Sequence, residues 1–169
     1  MKIHQSINKS RGFTLVEVLV AVLVLAIGLL GLAGLQVTGL RNNQSAYYRS
    51  QATQLAYDMA DRMRANPAGM KNGEYNNPAA VQTAACLTIA GCSAAQMAGN
   101  DAFEWNALLA GPLQLPSGAG VVCVDSTPND GTAAAPACDG VGNVSAVKVW
   151  WDDDRSGAAN QRFVTSLQP

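Results

Sequence analysis

The side chains able to do chemistry are few and widely scattered. Four cysteines stand at Cys86, Cys92, Cys123 and Cys138. Neither gap has the short C-x-x-C spacing of a zinc site, so oxidative pairing is the chemistry they fit. Four cysteines allow three connectivities. The neighbour pairs Cys86–Cys92 and Cys123–Cys138 are preferred, with a crossed pairing as the alternative. Closing the second loop would contribute about 3 kcal/mol in the chain-entropy model. The only histidine, His4, lies at the very front, which leaves no Ser–His–Asp triad. Asp152-x-Asp154-x-Ser156-Gly157 echoes the first half of a calcium loop. The twelfth position is Phe163 rather than glutamate, and the flanks read as strands, so an acidic hairpin tip is the preferred reading. Pairs of Asp and Glu could do acid–base work, but no pocket can be inferred for them. No metal, cofactor or catalytic residue is expected. The remaining candidate is Glu17, a carboxylate at the edge of an uncharged apolar run, where insertion costs a few kcal/mol and a function is the usual explanation.

The elements that must position these residues begin with that run. Val18 to Leu35 carries no charge, and with Phe13 to Val16 it is long enough for a bilayer span. Lys2, Lys9 and Arg11 precede it, and no basic residue follows until Arg41, which places the N-terminus in the cytoplasm. The cysteines then lie outside, where disulfides persist. The run is too long for an ordinary secretory signal, and Ala33-Gly34-Leu35 is a poor cleavage site. The formal net charge is −1, which argues against a nucleic-acid partner. The balance is uneven. From Ala68 onward, Lys71, Lys148, Arg155 and Arg162 face nine acids, so an acidic body follows a basic front.

Beyond Leu35 the stripe Val37, Leu40, Gln44, Tyr48, Ala52, Leu55, Met59, Met63 steps by three or four, one face of an amphipathic helix. Asp58 and Arg62 are spaced as i, i+4 partners. Asn66-Pro67 stops the helix. One helix from Thr14 to Ala65 would be about 78 Å long. Gly28, Gly31, Gly34 and Gly39 soften it and allow close helix approach. Residues 67–92 read as loop. Ser93 to Gln96 fits a capping box that starts a short helix, and Asp101 to Glu104 fits a second, running to Leu109 and stopped at Gly111-Pro112. Trp105, Leu108 and Leu109 would form its buried face. Strands are expected at Gly120–Val124, Ser145–Trp151 and Arg162–Leu167, with Asp152–Gly157 as the turn between the last two. Three or four antiparallel strands would pack one face on the helix stripe. The fold class is α+β. The organisation expected is 1–12 as a leader, 13–35 as the membrane half of the helix, 36–66 as its amphipathic half and 67–169 as a head.

Lys9 to Glu17, with Gly12-Phe13-Thr14-Leu15 at its centre, resembles the class III leader of type IV pilins and type II secretion pseudopilins. The resemblance implies a pilin-like fold and removal of the leader by a prepilin peptidase between Gly12 and Phe13. It further implies N-methylation of Phe13 and an assembly role for Glu17, which would meet the N-terminal amine of a neighbouring subunit. The chemistry is coherent. Glycine offers a protease an unobstructed backbone, and two charges that are costly alone in lipid become tolerable together. Where major pilins usually carry a proline, this chain has Gly34. Gln54 to Arg64, Trp150-Trp151-Asp152-Asp153 and Arg162 to Pro169 resemble the PilV (type IV pilus modification) branch of the minor pilins. That resemblance implies a priming or tip complex with other minor pilins and the major pilin, an inner-membrane assembly platform and a tip adhesin as partners, and roles in twitching and adhesion. The protein would be held in the bacterial inner membrane with a periplasmic head before moving to the pilus. A type II secretion pseudopilin shares the leader and is the alternative. A membrane-tethered periplasmic enzyme is the second alternative.

Overall fold

A computed structural model describes residues 12–111 and 115–168. The basic leader with His4, the expected stop at Pro112 and the terminal Pro169 lie outside them. The chain divides into two compact units between Asn43 and Gln44.

Helix α1 runs from Leu15 to Ala65. Thr14 starts it, its hydroxyl accepting the Glu17 N–H at 3.3 Å, which satisfies one of the unpaired donors of a first turn. The four glycines do not break it: a Cβ at Gly28, Gly31, Gly34 or Gly39 would meet open space. From Gly12 to Gln44 every residue is exposed. The buried stripe begins only at Tyr48 and continues through Ala52, Leu55, Ala56, Met59, Ala60 and Met63. Val37 and Leu40, expected on that stripe, are exposed, because they precede the unit that contains the core.

Asn66-Pro67 ends α1, but no simple loop follows. Asn66 has a non-helical backbone and its side chain accepts the Gly69 N–H, so it caps α2, Pro67–Lys71, with proline at the first helical position. A second short element, a 3-10 turn at Ala84–Leu87, also falls in the stretch expected to be loop. The capping box at Ser93 and Gln96 opens α3, Ala94–Leu109. This is one helix where two were expected. Asp101 does not cap a second one; its carboxylate accepts the Tyr75 hydroxyl at 2.6 Å instead. Of the expected buried face, Trp105 and Leu109 are buried while Leu108 is exposed.

The sheet has three strands, β1 (Ala119–Val124), β2 (Ser145–Trp151) and β3 (Gln161–Leu167), antiparallel in the order β1-β2-β3. Val122 pairs with Val147, which pairs with Thr165. Val147, Val149 and Trp151 share one core with Leu55, Met59, Met63 and Trp105. Trp105 binds the elements together by donating its indole N–H to the Leu55 carbonyl at 2.8 Å.

Every residue of β2 is buried, so the sheet is covered on both faces rather than on one. The alternate positions Ala146, Lys148 and Trp150 lie on the face away from that core. The segment between β1 and β2 crosses this face. Lys148 reaches the Pro136 carbonyl at 2.9 Å, and Arg162 reaches the Gly131 carbonyl at 2.7 Å. The free edge of β1 is closed by main-chain bonds and one bond to a side chain. Asn77 donates to the Val122 carbonyl, Gly140 donates to the Val124 carbonyl, and Val124 N–H donates to the Asn76 side chain.

Candidate functional site

The first turn of α1 carries the leading candidate. Phe13 and Glu17 are both exposed there, and the apolar side chains that follow are exposed as well. A carboxylate in a first helical turn is favoured by the unpaired amides at that end. This explains how the helix tolerates Glu17, but it supplies no partner charge. The best 18-residue window of α1 has a mean hydropathy of 2.9 and none of it is buried. Such a surface needs hydrocarbon or other helices to cover it.

The cysteines form two pairs, Cys86–Cys92 and Cys123–Cys138, between sequence neighbours. The first closes the 3-10 turn into a small loop whose Leu87 and Ile89 are exposed. The second ties β1 to the segment that crosses the outer face of the sheet. Asp125 approaches Cys123 and Cys138 to within ligand range of a metal, but the two sulfurs are bonded to each other and offer no thiolate.

At the Asp152–Gly157 turn, the Asp152 side chain is turned inward. Its carboxylate accepts the Ser156 N–H at 3.1 Å and the Gly157 N–H at 2.6 Å. Both oxygens therefore serve the hairpin's own backbone, in keeping with the hairpin-tip reading. Asp154 is held below the usual carboxylate range, chiefly by Ser156.

Two polar clusters escaped the sequence reading. In the first, Arg62 bridges α1 and α3. It reaches Asp58 at 3.0 Å, as spacing suggested, and also Glu104 at 2.8 Å and Asp101 at 3.4 Å. The hydrogen bond from Arg62, then that from Asn100, holds Glu104 below the usual carboxylate range. Burial, then the hydrogen bond to Asp101, pushes Tyr75 well above the usual phenol range. In the second, Lys148 is fully buried against Asp125, also fully buried, with Asp130 beside it. Asp101 and Glu104 are some forty positions from Arg62, a separation no local pattern encodes. Lys148 did leave a signal: a lysine inside an apolar strand demands a buried anion.

Residues 34–103 match the family described as Type IV pilin Tt1218. The adjoining residues 7–33 match the Prokaryotic N-terminal methylation motif. Neither the curated proteins nor the solved structures contain a match to this chain. The long N-terminal helix on a small antiparallel sheet with two disulfides is a pilin-like α+β fold.

Proposed function

We propose that the chain is a minor pilin, cut after Gly12 by a prepilin peptidase and methylated on Phe13, that joins other minor pilins and the major pilin in a complex priming or tipping a type IV pilus. The observation that carries this reading is Glu17, a carboxylate without a charged partner among the described residues, in the first turn of a helix whose surface is bare as far as Gln44. The cationic amine of a neighbour's methylated Phe13 would offset that charge in a low-dielectric filament core or bilayer. A subunit entering at the wrong axial position would leave both charges unpaired, so the pair would select register. The head would stay periplasmic while the assembly platform draws helices from the membrane. A tip adhesin would be carried on the resulting cluster.

Mass spectrometry of the mature chain tests the processing. A chain beginning at methylated Phe13 is expected; an intact Met1, or a start near residue 36, would overturn the proposal. Deleting the gene tests the pathway. Loss of surface pili and twitching is expected, whereas loss of exoprotein secretion with normal pili would identify a pseudopilin instead.

A further inference from the structure

We propose that Lys148 and Asp125 condense to an intramolecular isopeptide bond, with Asp130 carrying the protons, so that β2 is cross-linked to the residue that follows β1, beneath the loop between the two strands. The two side chains are completely buried, and Lys148 Nζ lies 2.5 Å from Asp125 Oδ2. Yet among the described residues Asp125 Oδ2 accepts no hydrogen bond. The amine is therefore pressed against the carboxylate without the directional bond that normally rewards a buried ion pair. Asp125 is fixed from its other side, where Oδ1 accepts the Thr127 N–H at 2.9 Å. Nζ is aimed by its bonds to the Pro136 carbonyl at 2.9 Å and the Asp130 carbonyl at 3.3 Å. A third carboxyl stands at the junction: Asp130 Oδ1 is 3.0 Å from Nζ, and its side chain is 45% exposed, so it communicates with solvent.

Two buried charges in one apolar layer are costly, and a proton passing from the ammonium to the carboxylate removes both. The neutral amine is then a nucleophile held against an acid carbon, the arrangement in which an intramolecular reaction has lost little further entropy to pay. Nζ attacks Asp125 Cγ and the new C–N bond forms. Asp130 accepts a proton from Nζ and returns it to the departing oxygen. The Cγ–O bond breaks and one water leaves, so an ammonium and a carboxylate become an amide and water. No oxidant, metal or second substrate is required. The product spares the fold a buried ion pair and fastens the segment crossing the sheet independently of the Cys123–Cys138 disulfide.

The test is tryptic mapping of the full chain, purified from bacterial envelopes, then reduced, alkylated and denatured. No lysine or arginine lies between Lys71 and Lys148, and the next site is Arg155. The expected product is one species spanning 72–155, lighter by one water and uncut at Lys148. Free peptides 72–148 and 149–155 would overturn the proposal and leave a simple ion pair. Asp125→Ala is expected to restore cleavage after Lys148, while Asp125→Asn should still link by releasing ammonia. Asp130→Asn is expected to yield unlinked chain that still carries both disulfides; full linkage in that variant would overturn the role given to Asp130.

Discussion

Glu17 bears on function through what it lacks. Its place in the first turn costs the helix nothing, so Glu17→Ala should leave the head folded while abolishing incorporation into sheared fibres, as read by immunoblot of fibre against membrane fractions. Unchanged incorporation would remove the pairing from the proposed mechanism. Trp105 bears on stability. Trp105→Phe removes the indole bond to Leu55 and some volume, and is expected to cost about 1–3 kcal/mol in denaturant unfolding. Glu104 sets an acid limit. Arg62 and Asn100 lower its folded pKa, so its contribution is complete above the ordinary value of 4.5 and fades as pH falls through the lower folded value. The stability gap between wild type and Glu104→Gln should therefore be present at neutral pH and vanish in acid. The side chain is 40% exposed, so the gap will be small and salt-sensitive. The pairing of the four cysteines was legible in the sequence because each pair joins sequence neighbours. Tyr75 and Asp101 were not, because each is explained only by a residue far along the chain, and Lys148 signalled a buried anion without saying which.

Among the elements, α1 and the three strands could be read from periodicity, and their ends fall close to where turn and cap residues place them. The errors share a cause. Pro67 was read as a breaker, but it also opens α2, since the residue that ends one helix can cap the next. Asp101 looked like a cap because its spacing to Glu104 is right, yet both carboxylates were claimed by Arg62 on α1. Gly120 shows how closely β1 and α3 meet: a Cβ there would come within 2.6 Å of Leu109 Cδ1 and would also strike the Trp105 ring. Gly120→Ala is expected to destabilise the head by about 1–3 kcal/mol without altering the secondary structure seen by circular dichroism. Replacing Cys123 and Cys138 together by serine removes a crosslink closing a loop of 15 residues. The expected loss is about 3 kcal/mol in the same unfolding assay.

At the scale of the molecule, the chain is two units with opposite surface demands. Unit Gln44–Pro169 contains the core, whereas the preceding helical residues bury nothing of their own. A chain beginning at Gln44 is expected to remain soluble without detergent. A chain beginning at Phe13, the proposed mature start, should require it, as flotation with lipid vesicles would show. Hydropathy alone marks the uncharged run as far as Leu35, whereas the compact unit with the core begins at Gln44. The second layer over the sheet left no such mark, because residues 125–144 have neither helical nor strand periodicity and owe their position to Lys148, Arg162 and a disulfide. Their placement has a practical corollary. Beyond Gly12 the sequence has two lysines, of which Lys71 is open to solvent and Lys148 is buried. On the proposed pilin reading, an amine-reactive fluorophore would thus mark each head at one defined point, turning the concealment of Lys148 into a means of counting subunits along a living fibre.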